Sequence, residues 1–325
     1  MALTLRVAAE AWRSHLAATV DAFPGLVPVV KGNGYGFGRA KLAGVAAALG
    51  AAEVAVGTVH ELADVGGVQA RVVLTPALAD ELAAAPEDAV VTVGSARHVD
   101  ELARSGTAAG RRVIVKIRSS MGRYGVTPDE VGEMLRRLAD VSATPHGLAV
   151  HPPLAGTPAA HAAEIEAAIS ATGAAPDLPV YVSHLDATAY RALQEAHPEW
   201  QFRIRLGTAL WHGDKSFLRL CADVLDVRAV DAGERLGYRL SEVPAGGHVA
   251  LVTAGTAHGV HPLPGDLSPF HFDGRRLPLV EPPHMHTSMV LALGDGAVPT
   301  VGDEVDVQRP LTQTLVDRVV EEPHH

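Results

Sequence analysis

Five residues with the chemistry for covalent or acid–base work each follow or close an apolar run: Lys31, Arg123, His151, Arg205 and Tyr238. The run from Gly25 to Val30 reads as a buried strand, and it delivers Lys31 into a loop with four glycines in seven residues, Gly32 to Gly38. At the C-terminal mouth of an α/β barrel, a partly desolvated amine can lose its proton and attack a carbonyl. Anywhere else, the same stretch is a surface lysine and a flexible turn. The other four residues carry the same double meaning. Arg123 alone is a solvated loop charge, and His151 can cap a sheet as readily as it serves chemistry. Arg205 stands two residues before Gly207-Thr208, where barrels bind phosphate with backbone amides, but it also fits an interior ion pair. Tyr238, closing an apolar strand, fits a core position equally well.

The elements that would position these residues alternate along the chain. After a first helix, Ala8 to Asp21, strands are predicted at Val27–Lys31, Glu53–Gly57, Arg71–Leu74, Ala89–Thr92, Arg112–Ile117, Gly147–His151, Val180–His184 and Phe202–Leu206. Between them, stretches such as 39–49, 59–65, 96–105, 128–138 and 159–172 have helical spacing and alanine-rich composition. Eight strands alternating with helices predict a parallel (β/α)8, TIM-like barrel. An open doubly wound sheet would need a Gly-x-Gly-x-x-Gly after its first strand, and none stands in that context. From about Leu218 the chain turns to valine, glycine and proline, with short apolar runs at 235–240, 249–253, 289–293 and 304–308. That texture predicts a small all-β domain. The break is expected near 212–220, giving a barrel over 1–215 and a β domain over 216–325.

Composition narrows the partners. With 325 residues, 47% of them hydrophobic and 20% charged, the chain suits a packed barrel of about 250 residues or fewer plus a smaller domain. A formal net charge of −10, with no lysine- or arginine-rich run, argues against nucleic acid and anionic membranes and for a small-molecule ligand. Cys221 is the only cysteine, so no disulfide or cysteine metal site forms within one chain, and a reducing cytoplasm is expected. The first 21 residues lack the continuous apolar segment of a signal peptide, and no stretch reaches the length of a membrane span. The 17 histidines are scattered without helical ligand spacing, so no metal site is expected.

The stretch Val29-Val30-Lys31-Gly32-Asn33-Gly34-Tyr35-Gly36-Phe37-Gly38 resembles the cofactor-lysine motif of alanine racemases, fold-type III enzymes that use pyridoxal phosphate (PLP). The family pattern is roughly Val-Val-Lys-Ala-Asn-Ala-Tyr-Gly-His-Gly; here glycines replace both alanines and Phe37 the histidine. The resemblance implies that Lys31 holds PLP as a Schiff base and that Tyr35 lies near its phosphate. Lys116 through Gly125 is similar to the family's Lys-x-Asp-x-Gly-Met-x-Arg-x-Gly. Lys116, Met121, Gly122, Arg123 and Gly125 match, whereas Arg118 and Ser120 replace aspartate and glycine. There Arg123 would reach the cofactor phenolic oxygen, and the lysine at 116 is often carbamylated. His151 would sit beside the cofactor ring. His184 and Leu185 occupy the places of an Asn-Ser pair, so the phosphate contact of that serine would move to Ser183 or Thr188. Arg205, Gly207 and Thr208 match the family's Arg-x-Gly segment. An arginine facing the pyridine nitrogen disfavours its protonation and makes the cofactor a weaker electron sink, which leans toward racemisation; the fold-type III decarboxylases carry an acidic partner.

In the second domain Ala232-Gly233-Glu234-Arg235-Leu236-Gly237-Tyr238 resembles the family's Pro-Gly-Glu-x-Val-x-Tyr-Gly. Tyr238 would then be a second catalytic base, contributed across a homodimer interface to the partner's lysine. Here the chain departs from the family: Thr256 stands for a tyrosine and His258 for an aspartate, and His284-Met285-His286 stands where the family has Cys-Met-Asp. Arg123, Met285 and His286 would meet the substrate. The resemblance implies a PLP-dependent racemase interconverting L- and D-amino acids by two bases, with a pocket unlike that of an alanine enzyme. The alternative is a relative that kept the PLP cradle as a carrier or sensor. A single-domain PLP-homeostasis protein fits poorly, because such relatives end with the barrel.

Overall fold

The computed structural model describes residues 2–173 and 176–323. Its chain forms two compact units: one holds residues up to Ser14, Tyr35–Phe37 and everything from His212 on, and the other holds His15–Gly34 and Gly38–Trp211.

The chain begins with β1 (Leu3–Ala8) and a helix over Ala9–Ala22. The second unit then runs through β2 (Val27–Pro28), β3 (Glu53–Val56), β4 (Ala70–Val73), β5 (Ala89–Val93), β6 (Arg112–Lys116), β7 (Thr144–Ala149), β8 (Val180–Val182) and β9 (Phe202–Leu206). All pair in parallel in the order β2-β9-β8-β7-β6-β5-β4-β3. The sheet closes at Val29–Val30. Val29 donates its amide to Leu206 of β9 at 2.8 Å, and Val30 donates to Ala55 of β3 at 2.8 Å. Pro28 has no N–H to offer β3, so the ladder on that side starts only at Val30. This is the expected (β/α)8 barrel. Its interior is filled by small and branched side chains, among them Val27, Val29, Ala55, Val72, Val90, Ile114 and Ala149, which leave a packed core and no pore. At the N-terminal end the buried Glu53 carboxylate takes hydrogen bonds from Tyr181 (2.7 Å) and His146 (3.0 Å) and pairs with Arg203 (3.0 Å). Burial pushes this carboxyl up, but the three partners outweigh it and hold the group below its usual range.

Six predicted strands run one to three residues too far. β2, β3, β4, β6, β7 and β8 stop before Lys31, Gly57, Leu74, Ile117, His151 and His184, and single backbone bonds such as Val30 to Ala55, Ile117 to Ala149 and Val150 to Tyr181 carry the pairing a little further. The stretch 59–65 is a 3-10 turn over Val59–Asp64, and helices over Ala79–Ala84 and Ala187–Ala196 add to those expected.

The first unit is built on an antiparallel sheet. β10 (Leu218–Val230) is followed by the β11 (Arg235–Leu236) and β12 (Ser241–Glu242) hairpin, β13 (Gly247–Thr253), β14 (Phe270–Phe272), β15 (Arg275–Arg276), β16 (Thr287–Leu293), β17 (Glu304–Val307) and β18 (Arg318–Glu322). β10 is long enough to serve two groups of neighbours: its first half pairs with β1 and β17, and from Val224 on it pairs with β13, with a register shift between Val224 and Asp226. Val230, Leu236, Val243, Val249 and Leu291 form one core cluster under this second half. The division at 215/216 is therefore redrawn at its N-terminal side. β1 pairs with β10 antiparallel and with β18 in parallel, which carries the first residues of the expected barrel into the β unit. No helix among the described residues is long and apolar enough to cross a membrane.

Candidate active site

Lys31 leaves β2 into a loop whose four glycines, Gly32, Gly34, Gly36 and Gly38, take φ between 63° and 90°. Side chains resist that region, so the glycine content is a requirement of this backbone. The start of the loop is fixed by Glu61, whose carboxylate accepts the Gly32 amide at 3.0 Å and the Gly57 amide at 2.7 Å. Arg39 ties the Gly32 carbonyl to Asp64. Tyr35, with φ 55°, is buried in the β unit, where His212 donates to its carbonyl at 2.7 Å and packs edge-on against its ring.

In the barrel unit Lys31, Lys116, Arg123, Tyr124, His151 and Arg205 line one cavity at the C-terminal ends of the strands, over Val72, Ile114 and Ala149. Lys116 is the last residue of β6 and is 3% exposed, and its Nζ has no hydrogen-bond partner among the described residues. Arg123 rides on a loop that folds back on β6: Arg118 donates to Val126, and Val126 to Lys116. Gly125, at φ 142°, makes the return possible, since a Cβ there would lie 2.5 Å from the Arg118 nitrogen. Tyr124 anchors the loop by donating to the Leu74 carbonyl at 2.7 Å, and its ring lies 5.0 Å from the Arg123 guanidinium. Arg205 points inward from β9 and donates to the Val150 carbonyl at 3.0 Å. His151 Nδ1 meets the Ser183 hydroxyl, and Ser119 holds the His151 carbonyl at 2.6 Å.

No carboxylate among the described residues lines this cavity, and the amines respond to that. Burial, then Arg123 and Arg205, hold the Lys31 amine below the usual lysine range, with Glu61 opposing them. Burial followed by the two arginines brings Lys116 down to about 6, and burial brings Arg205 down to about 10. Burial, with Arg205 and Lys116 beside it, keeps the His151 ring neutral far below its ordinary range. A site with surplus cations and amines biased toward the neutral form calls for an anionic ligand and keeps a nucleophilic nitrogen ready.

The structure thus brings Lys31, Arg123, His151 and Arg205 together. His184 stands beside them, its ring 4.7 Å from that of His151, but its Nδ1 donates to the Pro152 and Pro153 carbonyls at 3.0 Å and it does not line the cavity. Its φ of 61° lies in the left-handed region, where histidine is at ease, as asparagine is. Of the two expected phosphate donors, Ser183 is engaged with His151, and Thr188 lines a groove between the helices Pro158–Ser170 and Ala187–Ala196. Gly207 and Thr208 follow β9 directly, and the short helix Thr208–Trp211 is tied back to the lysine strand by Trp211, whose indole donates to Val29 at 2.7 Å. Glu61, Tyr124 and Ser119 are the positioning residues that the sequence did not single out. Each acts through backbone groups of another loop, and no local pattern announces such a bond.

In the β unit Tyr238 follows β11 and is 88% exposed. Met285 is also exposed, and its carbonyl accepts the Ala257 amide at 2.9 Å. The His286 ring stands 6.1 Å from that of His258.

The sequence profile described as alanine racemase, N-terminal domain, matches residues 7–215. An alanine racemase of Mycobacterium tuberculosis is 31% identical over 307 residues, covering 86% of this chain and 79% of its own. One of Corynebacterium efficiens is 30% identical over 306 residues, covering 86% and 81%. Among solved structures, the alanine racemase of Clostridium difficile 630 superposes with a TM-score of 0.77 at 17% identity, over 99% of this chain and 96% of its own. The enzyme of Bartonella henselae with covalently bound pyridoxal phosphate does so with 0.74 at 18% identity, over 99% and 100%. On its sequence, and with a fold to match, this chain belongs to the alanine racemase family.

Proposed function

We infer that the PLP-dependent racemase reaction of this family runs in this protein through two bases, Lys31 and Tyr238, and that it interconverts the L- and D-forms of an amino acid. The observation that supports this most directly is the cationic cavity of the barrel, which Lys31, its amine held below the usual lysine range, lines with Arg123 and Arg205, and where the buried Lys116 amine has no hydrogen-bond partner among the described residues. These residues fit an anionic aldehyde cofactor. Lys31 would hold it, Arg123 would meet its phenolic oxygen, Arg205 with His151 would back its ring nitrogen, and Gly207 and Thr208 would meet its phosphate. Bound there, PLP acidifies the Cα–H of an amino acid joined to it.

The chain's own groups do the rest. Lys31, its amine held below the usual range, takes or returns the Cα proton on one face. Tyr238, exposed in the β unit, serves the opposite face, and we place it in the site of the second subunit of a homodimer. Arg205 is a cation, so beside the ring nitrogen of a bound cofactor it would disfavour protonation there and favour prompt return of the proton to Cα. At the substrate end Arg123 would meet the α-carboxylate, and Met285 and His286 of the β unit are the further candidates for contact with the substrate. Thr256 and His286 replace a tyrosine and an aspartate of the family pattern, which favours an amino acid larger than alanine or differently charged.

Exchange of the α-hydrogen tests this. A panel of L- and D-amino acids is incubated with the PLP-loaded protein in D2O, and Cα deuteration is followed by NMR. Exchange with inversion on at least one amino acid, lost in both Lys31→Ala and Tyr238→Phe, is the expected result. Exchange without inversion would leave a one-base enzyme. No exchange with PLP bound would make the protein a carrier, and L-alanine as the best substrate would defeat the altered pocket.

A further inference from the structure

Tyr238 is a solvent-exposed side chain, so burial does not fix its direction, yet its surroundings are built with care. Glu281, 6% exposed, accepts three donors: the Tyr238 amide at 2.8 Å and His284 Nε2–H at 2.5 Å on Oε1, and the Arg239 amide at 2.8 Å on Oε2. A carboxylate so placed only accepts, so His284 carries its proton on Nε2. Burial pushes the Glu281 carboxyl up, but these donors outweigh it and keep the group ionised. The imidazole, thus oriented, stands edge-on to the Tyr238 ring, with centroids 4.7 Å apart and planes at 61°. Gly237 makes room: at φ 75° it approaches the carboxylate so closely that a Cβ would lie 2.1 Å from Glu281 Oε1. The family pattern has a cysteine where His284 stands, and a cysteine offers no ring to pack against the tyrosine.

Resting on the two-base reading above, we propose that Glu281 and His284 are positioning residues for Tyr238. Glu281 fixes the backbone at Tyr238 and Arg239, and His284, held by the same carboxylate, sets the direction of the phenol ring. A buried charge that holds two consecutive amides and a ring neighbour gives an exposed side chain the preorganisation that proton transfer demands.

The test uses the PLP-loaded enzyme and the two enantiomers, deuterated at Cα, of the panel amino acid that exchanges fastest. Glu281→Gln removes the acceptor, His284→Leu removes the ring, and His284→Phe keeps a ring without its tether. We expect kcat to fall about 10-fold or more in the first two, given that a 1 Å misplacement costs on the order of 100-fold, with KM nearly unchanged. The α-deuterium isotope effect should rise for one enantiomer only, the one whose proton Tyr238 takes, because the Lys31 face is untouched. His284→Phe should recover part of the loss. Independently of turnover, Glu281→Gln should lose hydrogen-exchange protection at the Tyr238 and Arg239 amides, and His284→Leu should keep it. If Glu281→Gln fails to fold, the His284 variants carry the test. Wild-type kinetics in His284→Leu, or isotope effects that change equally for both enantiomers, would overturn the positioning role while Tyr238→Phe remained impaired. A Tyr238→Phe enzyme with unaltered exchange in both directions would overturn the two-base reading and this proposal with it.

Discussion

Lys116 is a buried amine at the end of β6 with no hydrogen-bond partner among the described residues, and it stands beside two arginines. Its protonation couples directly to folding. Free in the unfolded chain it titrates at 10.5, and in the fold at about 6. Between those values the unfolded state binds more protons, so stability of the PLP-free protein should rise with pH across that window, and the cost of this residue is greatest below it. Lys116→Met, which keeps the length without the charge, should raise the melting temperature at pH 7 by several degrees and flatten the rise toward pH 10. Melting curves of both proteins against pH decide it; an unchanged pH slope would mean that the amine is solvated. At this scale the sequence was informative about identity and poor about state. Lys31, Arg123, His151 and Arg205 could be named from their places after apolar runs and from the resemblance. The depressed basicity of Lys116 could not, because it arises from burial in the folded barrel and then from Arg205 on β9 and Arg123 in the 118–125 loop.

Elements were legible wherever their partners lie close in sequence. The barrel strands alternate with helices, and each pairs with the next, so periodicity and order suffice. β1 is the opposite case. Its six residues, Leu-Thr-Leu-Arg-Val-Ala, alternate as a strand should, but they run into a helix, and their partners β10 and β18 lie more than 200 residues away. Leu5 is fully buried between Leu220 and Val319. Leu5→Ala should therefore cost about 2–5 kcal/mol, as core truncations do. The loss should appear in the antiparallel unit: amide exchange should speed up in β10 and β18 while β4 to β6 keep their protection. Equal acceleration in the barrel strands would show that β1 belongs energetically to the other unit. The erosion of the family pattern in the β unit also has an element-scale cause. Thr256 and Ala257 pair with the carbonyls of His284 and Met285 through backbone amides, so side chains there can change without loss of the fold.

For the whole molecule, the unresolved matter of the sequence is assembly, because a chain of net charge −10 with ordinary composition carries no mark of its own interface. The β unit displays Tyr238 at 88% exposure, Leu240 at 61% and Met285 at 65%, three large side chains that a lone subunit would leave in water. If Tyr238 completes the site of the partner subunit, each site of a homodimer holds Lys31 from one chain and Tyr238 from the other. Lys31→Ala and Tyr238→Phe homodimers are then both defective, since every site lacks one base. A heterodimer of the two variants is different: one of its sites carries both substitutions and the other carries none. Equal amounts of the variants, dissociated and allowed to reassociate at random, should form heterodimers as about half of the population, each with one intact site, and so recover about a quarter of the wild-type activity. The measurement is α-hydrogen exchange before and after subunit mixing, with light scattering to verify a dimer. A dimer whose mixed population stays as inactive as its parents would place both bases in one chain, and a monomer at micromolar concentration would remove the shared site altogether.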